Sequence, residues 1–224
     1  MKKRIKLEDR ILPAYTKGEE RVNMISHIVG GALGVIALVL CTTKAVIHHN
    51  TWGVVSAVIY GLSLICLYTM SSVYHGLRPG MAKKVMQVMD HCTIYFLISG
   101  SYTPFALSAI RAVNPALGWG IFIFEWVLTA LAVTLTAIDL KKYSVFSMTC
   151  YIVMGWAIIP FAGTVIATVT FTGFLLTLLG GVAYTIGSVL YGLGKRRKWM
   201  HSIFHIFVVL GSLLQFVAIF CYAL

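Results

Sequence analysis

Charge is scarce in this chain: Asp, Glu, Lys and Arg make up 11% of its 224 residues, and only seven of those are acidic. A soluble domain carries about 25% charged residues. So little charge beside 59% hydrophobic residues excludes an ordinary soluble protein and assigns the chain to the membrane. The five cysteines (Cys41, Cys66, Cys92, Cys150 and Cys221) form no CxxC pair and all fall within apolar runs. They read as buried thiols acting as small hydrophobes, which argues against a disulfide framework or a cysteine–metal site. No basic stripe with interleaved aromatics accompanies the net charge of +11, so nucleic acid is not an expected partner. No cleavable signal peptide is apparent either, because the first apolar run exceeds the roughly 7–15 residues of a signal core. It reads as a first membrane helix.

Long apolar runs are what the chain does have. Seven reach the length of about 20 residues that a bilayer crossing needs, over 22–47, 52–74, 85–110, 117–138, 144–169, 173–194 and 200–223. The connections are short, so sequential helices are expected to be antiparallel neighbours in one all-α, seven-transmembrane-helix bundle (22–224) behind a polar amino-terminal segment (1–21). The weakest boundary is the fifth-to-sixth, where only "VTFTGF" (169–174) intervenes. If the amino terminus is cytoplasmic, 16 of the 18 Lys and Arg residues lie inside, and only Lys44 and Arg111 lie outside. Positive residues concentrate on the cytoplasmic side of membrane proteins. The reading is therefore a multi-pass protein of the cell (plasma or inner) membrane, amino terminus inside and carboxyl terminus outside. Pro104 and Pro160, inside the third and fifth runs, are expected to kink their helices. Gly30, Gly31, Gly34, Gly180 and Gly181 are expected to allow close helix packing.

Ionisable side chains inside a span are costly and mark function. The topology brings several to one depth. His75 ends the second run, Asp90 lies early in the third, and His201 and His205 open the seventh. His27 lies early in the first, one turn after Asn23. All fall within about 10 Å of the cytoplasmic side at about 1.5 Å per residue. The four-residue spacing puts His201 and His205 on one helical face, where both imidazoles can bind one metal ion, as in HExxH. His75, arriving from another helix, completes a three-nitrogen site suited to zinc, with a fourth position left for water. Asp90 can orient or deprotonate that water. Ser71, four residues before His75, shares its face. His27 and Asn23 are candidates to support the ligands from behind; for His27 an ordinary buried role or a substrate contact also stays open. His91 points about 100° away from Asp90 round the helix and is set aside. Glu125, deep in the outer third of the fourth run, pairs with a polar neighbour or stays protonated.

The stretches "EERVNMISHIVGGALG" (19–34), "SSVYHGL" (71–77), "MDHCTIYFLISGSYTPF" (89–105) and "HSIFHIF" (201–207) resemble the bacterial hemolysin III family, within the progestin and adipoQ receptor superfamily, over nearly the whole chain. The resemblance implies a seven-helix membrane protein with zinc near the cytoplasmic face, held by His75, His201 and His205, with Asp90 and Ser71 holding the metal's water. The superfamily is also similar to alkaline ceramidases in this arrangement, which implies zinc-dependent hydrolysis of a lipid amide or ester.

The expected role is zinc-dependent action in membrane lipid homeostasis, with membrane lipids as partners. The alternative is a non-enzymatic sensor or regulator of membrane state with structural zinc. A pore-forming cytolysin fits poorly with seven uncleaved spans and no amphipathic β-hairpin pattern. A proton-linked transporter fits poorly with polar groups gathered on one side. Small outside loops leave little surface for a large extracellular ligand.

Overall fold

In the computed structural model, residues 6–194 and 196–224 are described, and among them the chain is all-helical with no strand. Lys2, Lys3, Arg4 and Lys195, which entered the charge asymmetry, lie outside the described residues. The helices are α1 (Lys17–Ile47), α2 (Thr51–Gly76), α3 (Met81–Thr103), α4 (Pro115–Ile138), α5 (Ser144–Trp156), α6 (Ala162–Gly194) and α7 (Met200–Ala218).

Helix α1 starts five residues before the apolar run that signals it, and its first turn is charged. A capping box sets that start: the Thr16 hydroxyl accepts the Glu19 backbone N–H (3.2 Å), and the Glu19 carboxylate accepts the Thr16 N–H (2.9 Å). Two helix-starting donors are thereby satisfied at once. Asn50 caps α2 by accepting the Gly53 N–H (2.7 Å), and Asn114 caps α4 with Pro115 in the first position. The two interior prolines alter the helical ladder as expected. Pro104 opens a π-helical stretch, Pro104–Ile110, and Pro160 lies in a 3-10 turn, Ile159–Phe161.

Six helical stretches among the described residues are long and apolar enough to cross a membrane. The expected fifth and sixth runs merge into one of these, 51 residues from Ser144 to Gly194. Within it Thr170 leaves helical geometry (φ 64°, ψ 166°), inside the "VTFTGF" boundary. The Trp156 indole donates to the Thr185 hydroxyl (3.1 Å). A straight helix would hold residues 29 apart about 43 Å from each other, so the chain doubles back between them.

The bundle inverts the usual soluble pattern. Ile25, Val29, Ile36, Val39 and Leu40 of α1 are exposed, whereas Asn23, His27, Gly30 and Gly34 of the same helix are buried. An apolar outer surface with polar groups turned inward suits hydrocarbon surroundings. Antiparallel α1 and α2 meet through Gly30, whose missing side chain is occupied by the Tyr68 ring, and through Gly34 against Ile65. Antiparallel α6 and α7 meet through Gly180, where a Cβ would lie 2.9 Å from the Gln215 side chain. Gly31 and Gly181 do not serve this purpose: a Cβ at Gly31 would make only ordinary contact with Tyr68 (3.8 Å), and one at Gly181 would meet nothing within 4 Å. Gly181 instead lines the internal cavity. Helices α1 and α7 run parallel. The Glu19 carboxylate accepts the Trp199 backbone N–H (2.6 Å) at one end, and Lys44 Nζ donates to the Phe220 carbonyl at the other. This register carries the starts of α1, α3 and α7 and the end of α2 to one end of the bundle.

Candidate metal centre and cavity

At that end two helices deliver three buried histidines. His75 comes from the last turn of α2, and His201 and His205 from the first two turns of α7. One ring nitrogen of each lies within 4.8 Å of the others, so the three together can hold a metal ion. The two α7 imidazoles approach through their Nε2 atoms, 3.0 Å apart. Two nitrogens bound to one zinc in tetrahedral geometry would sit about 3.3 Å apart, close to the separation present. His75 Nε2 and His205 Nδ1 are buried with no hydrogen-bond partner.

Two turns of α1 back this cluster. Asn23 is fully buried, with its amide nitrogen 3.4 Å from His75 Nδ1. The His27 ring centroid lies 3.9 Å from that of His205, and both His27 nitrogens are buried without a partner. Below it the Tyr68 hydroxyl of α2 donates to Ser212 of α7 (2.7 Å), and Ser212 also meets the Tyr184 hydroxyl of α6 (2.8 Å). This knot fixes the three helices roughly two turns beneath the histidines.

Ser71 is fully buried, its hydroxyl has no partner, and it faces the same space as His27 and His205. Asp90 lines that space too, but it is not among the groups that approach one another within 4.8 Å. The expected set of His75, His201, His205, Ser71, Asp90, His27 and Asn23 thus gathers at one end, with Asp90 on the cavity wall. His91, set aside on angular grounds, also lines the cavity: its Nε2 lies 3.1 Å from the Tyr191 hydroxyl and its Nδ1 2.8 Å from the Gln87 carbonyl. The space is wide enough to take both neighbours on α3. Glu125 is elsewhere. It is fully buried, and neither carboxylate oxygen makes a hydrogen bond, while its backbone carbonyl accepts from Ser99 (3.0 Å).

The cavity has a volume of about 850 Å³. Its histidine end is polar, and it continues between α3, α5, α6 and α7 past Ile94, Leu97, Ile98, Phe105, Phe174 and Val208 to Gln215. Along α7, His205 to Gln215 covers about 15 Å. Asp9, Arg10 and Ile11 of the amino-terminal segment line its mouth, and Tyr15 stacks on His201 (4.7 Å between ring centroids). Burial holds the Tyr15 phenol well above its ordinary pKa, reinforced by Tyr74, Tyr191, Glu20 and Asp90, so it stays a neutral cover over the cluster. Burial also lowers the Arg10 guanidinium, with Asp139 opposing that shift.

Sequence reasoning missed four contributors. Glu20 Oε2 lies 2.6 Å from His75 Nδ1, and its Oε1 accepts from Lys83 (2.7 Å). Lys83, counted with the cytoplasmic cations, is buried. Tyr15 and Glu19 complete the group. A signal for Glu20 was present: it precedes Asn23 by three residues and His27 by seven, on one helical face.

Fold and site together define a multi-pass α-helical membrane protein with a buried histidine triad at one end of the bundle. The chain belongs to the haemolysin-III-related family, whose model matches residues 15–216. It is 33% identical over 206 residues to Hemolysin-3 of Bacillus cereus, covering 92% of each chain. It is 32% identical over 208 residues to the Hemolysin-3 homolog of Bacillus subtilis (strain 168), covering 93% of this chain and 96% of that one. The human monocyte to macrophage differentiation factor is 26% identical over 191 residues, covering 80% and 76%. That relative extends the kinship to the progestin and adipoQ receptor superfamily.

Proposed function

We propose that this protein is a zinc-dependent hydrolase of the cell membrane that cleaves an amide or ester bond of a lipid and so acts in membrane lipid homeostasis. The observation that carries this reading is the cavity, in which unpartnered polar groups crowd the histidine end and an apolar channel leads away from it. An amphiphile with one acyl chain matches both parts. The seven crossings and inside amino terminus belong to the same proposal. The doubling back at Thr170 and the one-sided Lys and Arg distribution support them.

His75, His201 and His205 would hold the zinc, since three buried imidazoles from two helices are a donor set zinc accepts. Zinc so held supplies Lewis acidity, polarising a carbonyl and easing the ionisation of water near neutral pH. Asp90, through a carboxylate oxygen, accepts a proton from the attacking water. As the carbonyl–nitrogen or carbonyl–oxygen bond breaks, it returns that proton to the leaving amine or alcohol. Ser71 donates its unpartnered hydroxyl to the reacting oxygen. The channel beyond His205 holds the acyl chain and keeps bulk water from the reaction. Asp90 lines the cavity outside the histidine set, so its carboxylate would be available for proton transfer, and that favours an enzyme over a purely structural metal.

The test combines metal analysis with a lipid panel on purified protein. The expected result is one zinc per chain, lost in His75→Ala and His201→Ala. A metal-dependent product is expected from a sphingolipid, N-acyl or glycerolipid substrate, absent in His205→Ala. Zinc present with no product across the panel would sink the hydrolase and leave a regulator with structural zinc. A chain without zinc would remove the foundation of both.

A further inference from the structure

We infer that Glu20 is the positioning residue of the metal centre: its carboxylate holds the ring of His75 from behind, fixing the imidazole tautomer that turns Nε2 toward the metal. This rests on the metal-binding reading above. Glu20 Oε2 lies 2.6 Å from His75 Nδ1. An ionised carboxylate only accepts hydrogen bonds, so Nδ1 must be the donor. The neutral ring then carries its lone pair on Nε2, the atom that is buried and unpartnered. Metal-bound histidines commonly donate their other ring N–H to a carboxylate in this way, which fixes the ring and raises its basicity. Asn23, at 3.4 Å from the same Nδ1, is the weaker neighbour. Glu20 is not itself in the ligand set, because its oxygens are not among the atoms that approach within 4.8 Å.

The remaining contacts explain how a carboxylate is kept there. Oε1 accepts from Lys83 Nζ at 2.7 Å, and the same ammonium donates to the Leu77 carbonyl (3.1 Å) and lies over the Tyr74 ring (4.9 Å). Lys83 is therefore held by α2 independently of Glu20, and its charge offsets that of the carboxylate. One side chain of α1 thus links the ligand-bearing end of α2 to the start of α3. The neighbouring Glu19 ties α1 to the entry of α7 through the Trp199 N–H (2.6 Å).

The alternative is a strut, in which Glu20 matters only as the ion-pair partner of Lys83. Zinc affinity, measured by competition with a chromophoric chelator, separates the two. Glu20→Gln should weaken zinc ten- to a hundredfold, the usual loss when such an outer partner is removed. Lys83→Met, which breaks the ion pair but leaves the contact to His75, should keep zinc affinity within about threefold of wild type while lowering the melting temperature of the metal-free protein, because it leaves a largely buried carboxylate without its counter-charge. Equal weakening by the two substitutions, or wild-type affinity in Glu20→Gln, overturns the inference while leaving the metal centre intact. Absence of zinc from the wild-type protein overturns both. A second measurement needs no variant: ¹⁵N spectra of histidine-labelled, metal-free wild type at pH 8 should give His75 as the Nδ1–H tautomer, and an Nε2–H tautomer overturns the inference.

Discussion

The two ends of the bundle treat polar groups in opposite ways. At the end away from the histidines, donors and acceptors close on one another. Asn50 caps α2 and donates to the Ser108 hydroxyl (2.9 Å), which in turn donates to the Ala223 carbonyl (2.6 Å). Arg111 donates to the Leu107 carbonyl (2.9 Å) with its guanidinium over the Trp52 ring (4.7 Å), and Lys44 donates to the Phe220 carbonyl. At the histidine end Ser71, His27, Gln87 and Asn23 keep buried polar atoms without partners, as do His75 and His205. Buried polar groups are normally hydrogen-bonded, and these atoms find no partner within the protein. The closed end holds helices together, and the open end is shaped for something that arrives. Thr42, Tyr60 and Glu125 also carry unpartnered atoms away from the histidines, but none of them lines the cavity.

Substitutions can break or sharpen this contrast. The largest effect is expected from Asp90→Asn at the open end. Turnover should fall by about 10²–10⁴, the usual contribution of a proton-transfer group, with zinc still at one per chain. Loss of zinc in this variant would make Asp90 a ligand. Next, Ser108→Ala at the closed end removes two hydrogen bonds and should cost about 1–3 kcal/mol of stability, read as a lower melting temperature in detergent with zinc affinity unchanged. A shift in zinc affinity would mean the two ends are coupled. The smallest stability effect is expected from Ser71→Ala: its hydroxyl has no partner within the protein, so stability should move by less than about 0.5 kcal/mol while hydrolysis falls. Destabilisation as large as that of Ser108→Ala would erase the distinction between the ends.

The membrane segments were legible because hydrocarbon demands length and apolarity, and both can be counted along a chain. What hydropathy could not see was a helix start made of charged residues. Lys17–Arg21 are helical because of the Thr16–Glu19 capping box, a local hydrogen-bonding fact. The stretch from Ser144 to Gly194 is the converse: it is apolar throughout, and its turns, at Ile159–Phe161 and at Thr170, fall where composition marks a boundary only faintly. Within the site, His201 and His205 could be paired from a four-residue spacing, and His75 joined them by depth alone. His91, set aside on an angular argument about one helix, lines the same broad cavity as Asp90 without being among the three histidines that come together.

The sequence by itself determined the depth of each ionisable group. Depth follows from counting residues from a span's end and from the side on which Lys and Arg accumulate, and neither depends on how helices pack. The azimuth of each helix, and hence which groups at one depth touch, was decided only by the tertiary structure. Glu20 meets His75 across 55 residues of chain because Gly30 and Gly34 let α1 settle onto α2 in one register. Asp90 stands on the cavity wall, outside the histidine set, through the rotation at which α3 packs in the bundle. Contacts between helices come from the packing of whole surfaces, and no local pattern in the chain encodes them.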